Sequence, residues 1–258
     1  MIEKILYAAK EAGEIIREGF GKNVAFEYKT NKSDIVTEID KKAEAAIIEF
    51  ISKEFSSHNI LAEESGSTNN SSEYTWVIDP LDGTSNFKHG LPIFSVSIGV
   101  MKNGETLWGV VYDVMRNVFY SAEKGAGSFA DDKKLSVAEN DDLSNSMLVT
   151  GFPYDIKENP YNAIERFNDF LVSSRAVRRL GSAAIDLCYV ASGVFDGFWE
   201  VHLHPWDVCA GKLIVEEAGG LVTDFEGNQI DIFSKQILAT NGKVHSQMKE
   251  ILWRRGKM

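Results

Sequence analysis

The chain has 258 residues, 44% hydrophobic and 25% charged, with a formal net charge of −11 at pH 7. That composition is an ordinary globular one, with enough length for a large core built as one domain or two packed halves. It excludes a membrane span, which needs a longer apolar run, and general nucleic-acid binding, which needs a basic surface; two cysteines make neither a disulfide framework nor a zinc pattern.

In chain order, MIEKILYAAKEAGEII lacks a signal-peptide layout and reads as an amphipathic helix over about residues 2–19, with Ile2, Ile5, Leu6, Ala9 and Ile16 on one face. A cytoplasmic location is the expectation from this start and from the cysteine usage. After the EYKTNKSD segment, which carries Lys29, a second helix is predicted over about 38–55, capped by Thr37 with Asp40 at its third position. Asn59–Ala62 reads as a short strand leading into Glu63 and Glu64, and the polar stretch Ser65–Glu73 as a mobile loop. Trp76-Val77-Ile78 reads as the end of a buried strand, stopped by Pro80. Three further strands are predicted in FSVSIGVM, TLWGVVYDV and NVFYSAEK, between Phe94 and Lys124, with Asn103-Gly104 as a turn. Asp141–Asn145 is the expected seam of a single domain (1–258), dividing an N-terminal half of about 1–142 from a C-terminal half of about 143–258. Helices follow over about 161–173, 181–193 and 207–219, the last ending at Gly219-Gly220. The pattern is mixed α and β in layers.

The chemistry concentrates in WVIDPLDGTSNF, residues 76–87. Asp79 and Asp82 flank Pro80 on one turn, where two close carboxylates repel unless a cation lies between them. Hard oxygen ligands suit Mg²⁺ or Mn²⁺. Gly83, Thr84 and Ser85 offer amides and hydroxyls beside them, as a phosphate requires. Bound cations would also reconcile an acidic protein with an anionic substrate. Glu63, Glu64 and Asp207, the last at a predicted helix start, are further candidate carboxylates. Each also has a plainer role as a cap, a turn or solvated charge, and spacing alone does not bring them together. Other features read as structural. GAGSF (125–129) is expected to be a turn and not a nucleotide loop. His202 and His204 lack a third zinc ligand, His89 is a rim residue, Cys209 packs a helix, and Trp76 and Trp206 anchor the core.

WVIDPLDGTSNF and WDVCAGKLIVEEAGG resemble the two signature motifs of the inositol monophosphatase family, and DIVTEID, AEES, GSAAIDLCYVASG and FWE fall in family order over nearly the whole chain. That family belongs to a lithium-sensitive, metal-dependent phosphatase superfamily that includes fructose-1,6-bisphosphatases and nucleotide 3′-phosphatases. The resemblance implies an α+β fold, a five-layer αβαβα sandwich, assembled as a homodimer. It implies two or three Mg²⁺ per subunit, with Mn²⁺ as a substitute. Glu63, Asp79 and the carbonyl of Leu81 would hold one ion, Asp79, Asp82 and Asp207 a second, and Glu63 a weaker third. Thr84, oriented by Asp40, would position the attacking water together with Glu63, and the amides of Gly83 and Thr84 would take the phosphate. Asp82, Glu200 and the Gly181-Ser182-Ala183 turn would meet the leaving group, and Lys29 would approach the metals.

The expected reaction is hydrolysis of a phosphate monoester by metal-activated water without a covalent intermediate, with inositol 1-phosphate as the substrate of choice. Arg178 and Arg179 are either a surface or dimer pair or a clamp for a second phosphate; the clamp would favour fructose 1,6-bisphosphate, or a broader sugar-phosphate or nucleotide 3′-phosphatase. Glu200 favours a polyol instead. A regulatory protein that binds the transcription machinery is the alternative from a different class. No membrane or direct nucleic-acid partner is expected.

Overall fold

The computed structural model describes residues 1–29, 31 and 34–254. Its elements run α1 (Ile2–Gly19), β1 (Phe26–Tyr28), β2 (Ile35–Thr37), α2 (Glu38–Glu54), β3 (Asn59–Ala62), β4 (Gly66–Thr68), β5 (Tyr74–Asp82), α3 (Thr84–His89), β6 (Ser95–Lys102), β7 (Glu105–Asp113), β8 (Val118–Glu123), β9 (Gly127–Ala130), β10 (Lys133–Lys134) and β11 (Met147–Thr150). They continue as α4 (Ala163–Ser173), β12 (Ala176–Arg178), α5 (Ala183–Ala191), β13 (Gly197–Val201), α6 (Pro205–Glu217), β14 (Leu221–Thr223), β15 (Gln236–Thr240) and α7 (His245–Arg254). Thr30, Lys32 and Ser33, from the predicted Lys29 segment, lie outside the described residues.

An eight-stranded sheet has the order β10-β9-β8-β7-β6-β5-β3-β4, and a five-stranded sheet the order β12-β11-β13-β15-β14; β1 and β2 form a separate ribbon. Strand alternation assigns the faces. Val110 and Tyr112 on β7 pack with Ile5, Ile16 and Ile47 of α1 and α2, whereas Val111 between them packs with α5 and α6. In the second sheet Phe198 and Ala239 also face α5 and α6, and Trp199 and Leu238 face α4 and α7. The layers are therefore α1/α2, large sheet, α5/α6, small sheet and α4/α7, the expected αβαβα sandwich. α1 follows its predicted face, burying Ile5, Ala8, Ala9, Ala12 and Ile16 at helical spacing.

Helix α6 lies close on the large sheet because two strand positions there carry no side chain. A Cβ at Gly99 would overlap the sulfur of Cys209, and one at Gly109 would come 2.9 Å from the carbonyl oxygen of Ala210. Cys209 is thus the packing residue expected, and burial pushes its thiol up to about 11. The turn opening GAGSF is an anion-gripping one, but the anion is the protein's own: the amides of Gly125 and Gly127 donate to the Glu217 carboxylate at 2.7 and 2.8 Å.

Three expectations are corrected. Ser65–Glu73 is not wholly a loop, since β4 pairs antiparallel with β3 and the Asn59 side chain accepts from the Asn70 amide and donates to the Ser72 carbonyl. α4, α5 and α6 begin at Ala163, Ala183 and Pro205 rather than at 161, 181 and 207. Pro80 does not end its strand. β5 runs on to Asp82 through a bulge, with Asp79 opposite Ser97 and Asp82 opposite Ser95. Proline is tolerated because a bulged residue owes no hydrogen bond to the ladder.

Candidate active site

The bulge decides where the two aspartates point. Residues three apart on a regular strand face opposite sides of the sheet. Here Pro80 and Leu81 together oppose the single residue Val96, so Asp79 and Asp82 align with Ser97 and Ser95, which share a face. The Leu81 amide donates to Asp79 Oδ1 at 2.9 Å. Gly83 then turns the chain into α3 at φ 100°, where a Cβ would lie 3.0 Å from the Ile93 carbonyl oxygen. That backbone requires glycine.

Asp207 reaches the same face from α6. It stands in the first turn, after Pro205, with one oxygen accepting the His204 amide at 2.7 Å. It is therefore both the helix cap and a site residue. Ligand atoms of Asp79, Asp82 and Asp207 all lie within 4.8 Å of one another, and among the described residues no other group of three histidines, cysteines or acids has such spacing. Burial, reinforced by Glu63 and Asp82, raises Asp79 and Asp207 well above the usual carboxylate range. Asp82 rises less, to about 6, because burial is opposed by the Ser182 hydroxyl at 2.5 Å and the Ala183 and Ala184 amides at 3.2 and 2.8 Å. An all-oxygen set of carboxylates held together at this cost fits a hard divalent cation. His202 and His204 border the same cavity, the first paired with Asp155 and the second stacked on Trp206.

Glu63 lines the same cavity at its rim. Its amide donates to the Ile78 carbonyl at 3.2 Å, which places it beside the bulge. Lys29 Nζ bridges Glu63 at 2.8 Å and Glu64 at 2.5 Å. Burial works against the ammonium, but the two ion pairs outweigh it and raise the Lys29 pKa. Burial pushes Glu64 up to about 7 despite Lys29. Glu44, which sequence reasoning missed, fixes this segment from α2 by accepting the amides of Glu64 at 2.9 Å and Ser65 at 2.7 Å. Its signal was a spacing of four from Asp40.

Thr84 donates its hydroxyl between Asp40 Oδ1 at 2.8 Å and the Leu81 carbonyl at 3.0 Å. Asp40 also accepts the Thr37 amide and hydroxyl, closing the predicted cap. Burial lifts Asp40 to about 6 against these bonds. One hydroxyl proton shared between two acceptors leaves the Thr84 lone pairs free to accept a hydrogen bond from a water.

Toward the second sheet the cavity, about 160 Å³, is lined by Gly181, Ser182, Ala183, Glu200, Arg179, Tyr154 and Trp206. Ser182 and Ala183, expected to meet a leaving group, line the cavity and also turn donors toward Asp82. Glu200 is buried directly against Gly151, where a Cβ would overlap its carboxylate. Burial pushes it up to about 8, with Asp207 and Asp82 adding to the shift and Arg179 opposing it. The arginines separate: Arg179 faces the cavity, while exposed Arg178 sits on edge strand β12, donates to the Val177 carbonyl and lines no part of the site. Trp76 is a core residue as expected, its indole donating to His58 at 3.1 Å. Trp206 packs on Val77 and Cys209 and also lines the cavity.

A sequence model described as the inositol monophosphatase family matches residues 1–257. The chain is 42% identical over 254 residues to a Nus factor SuhB of Pasteurella multocida, covering 98% of this chain and 94% of that one. It is 41% identical over 246 residues to an inositol-1-monophosphatase of Synechocystis, covering 95% and 86%. The solved structure of an IMPase from Thermotoga maritima superposes with a TM-score of 0.91 at 36% identity, covering 99% and 98%.

Proposed function

Because the chain belongs to the inositol monophosphatase family, we propose that it hydrolyses a phosphate monoester of inositol 1-phosphate type with Mg²⁺ bound at Asp79, Asp82, Asp207, Glu63 and the Leu81 carbonyl. The observation that carries this reading is the convergence of Asp79, Asp82 and Asp207 within 4.8 Å, next to the Thr84–Asp40 pair. Divalent magnesium supplies positive charge that acidifies a coordinated water and neutralises charge on the phosphoryl oxygens. The chain's own residues do the rest. Thr84 Oγ1 accepts a hydrogen bond from the attacking water while its own hydroxyl proton is donated to Asp40 or to the Leu81 carbonyl. Glu63 orients that water from the rim. The amides of Gly83 and Thr84 receive phosphate oxygens, and Glu200 receives hydroxyls of the alcohol.

The polyol reading is preferred to a bisphosphate because Glu200, buried in the leaving-group end of the cavity, offers oxygens suited to pairing with hydroxyls in either protonation state. Arg179 is the one arginine that supports the bisphosphate alternative. Phosphate release from inositol 1-phosphate and from fructose 1,6-bisphosphate, with and without Mg²⁺, tests the choice; faster release from the bisphosphate would reverse it. Asp79→Asn should lower Mg²⁺-dependent release by at least about a thousandfold while the protein stays folded. Undiminished turnover would sink the metal assignment.

A second reading, a partner of the transcription machinery, draws on the name Nus factor SuhB borne by the Pasteurella relative. Retention of RNA polymerase by immobilised, folded protein would support it, with or without phosphatase activity.

A further inference from the structure

The run Ala183–Ala191 that forms α5 is uncharged except for Asp186. This residue is only 1% exposed, yet its Oδ1 has no hydrogen-bond partner among the described residues. A buried carboxylate oxygen without a partner is unfavourable, and leucine or alanine at this helical position would remove the cost. The residue nonetheless borders the cavity that Glu200, Ser182 and Arg179 line. Its position follows from the helix: Ser182 and Asp186 are four apart, on one face, and the Asp186 amide donates to the Ser182 carbonyl. Ser182 in turn holds Asp82.

The charges around it define what it can meet. Burial raises Asp186 well above the usual carboxylate range; Glu200 and Asp82 add to this, and Arg179 opposes it. Two buried acids thus share this end of the cavity with one guanidinium. A hydroxyl both donates and accepts, so it can pair with an acid in either protonation state.

We propose that Asp186 is a specificity-determining residue, its unsatisfied carboxyl group pairing with a hydroxyl on the alcohol half of a polyol phosphate. The assignment rests on the phosphatase reading above. It makes the leaving-group wall a pair, Asp186 and Glu200, that selects a hydroxylated leaving group over one without hydroxyls.

The test compares Mg²⁺-dependent phosphate release from myo-inositol 1-phosphate and from p-nitrophenyl phosphate, which has no hydroxyl to offer. Asp186→Ala should lower kcat/KM for the inositol ester about tenfold, mostly through KM, the scale expected for one hydrogen bond to an ionisable group. For p-nitrophenyl phosphate it should change kcat/KM less than about twofold. Asp186→Asn, which keeps the shape and one acceptor, should restore most of the loss. Should Asp186→Ala fail to fold, Asp186→Ser carries the same comparison. Equal losses on both esters, or no loss on either, would overturn the assignment. Wild-type protein that releases phosphate from neither ester would instead refute the phosphatase reading, and this assignment with it.

Discussion

A single buried acid sets a measurable pH signature. Glu200 is held at about 8 in the fold, against about 4.3 for an unperturbed glutamate. An acid whose folded pKa is raised costs nothing below its unfolded value, and the fold loses stability as pH climbs toward the folded value. Glu200→Gln should therefore melt like wild type near about pH 4.5 and increasingly above it as pH approaches about 8. Thermal melts across that range, at fixed ionic strength and without metal, check the sign; a difference independent of pH would contradict it. At this scale the sequence was informative about identity and poor about direction. Asp79, Asp82, Glu63 and Asp207 were all readable as candidates, and all line one cavity. Arg178 and Arg179 were indistinguishable, because which of two adjacent side chains enters a cavity depends on how the strand end is laid against its neighbours. Asp186 was overlooked inside an apolar run, although a lone acid there is itself a signal.

Elements carry these side chains, and α6 is the one with least freedom. Gly99 and Gly109 bring it close to the large sheet, and Asp207 rides at its first turn. Gly109→Ala would press on backbone, the Ala210 carbonyl at 2.9 Å, and should cost about 1–3 kcal/mol as overpacking does. It should also reduce activity by shifting Asp207. Gly99→Ala presses on the Cys209 side chain instead, so adding Cys209→Ala should recover much of its loss and none of the loss in Gly109→Ala. Denaturant melts of the single and double variants give the coupling; equal rescue at both glycines would refute the distinction. The helices α1 and α2 and the strands β6 to β8 were legible because their periodicity or alternation is strong within one segment. The bulge in β5 was not, since it exists only in relation to β6. The grip of Glu217 on the Gly125 turn was equally hidden, because the partners are distant in sequence.

For the molecule as a whole, the layering places the site between the two sheets. Asp82 on the large sheet accepts from Ser182, Ala183 and Ala184 at the start of α5, and Glu200 comes from the small sheet. With a formal net charge of −11 and several acids buried together, the metal-free fold is strained electrostatically above the ordinary carboxylate range. Mg²⁺ should raise the melting temperature, and more at about pH 8 than at about pH 6, because binding must displace protons from the raised acids at the lower pH. Melts in chelator and in Mg²⁺ at both values test this. A shift equal at both, or retained in Asp207→Asn, would place the metal elsewhere.

The extra residue in β5 has a consequence for which changes the protein can survive. What matters most between Asp79 and Asp82 is a count. Leu81 gives its backbone to this turn and its side chain to the core beneath α1 and α2, so position 81 calls for an apolar residue; Pro80 fills a place that makes no demand on its nitrogen, so other residues can stand there. Removing one residue would restore the pleat and swing one aspartate through the sheet into that apolar layer. The segment is less tolerant of a change in length than of a change in spelling.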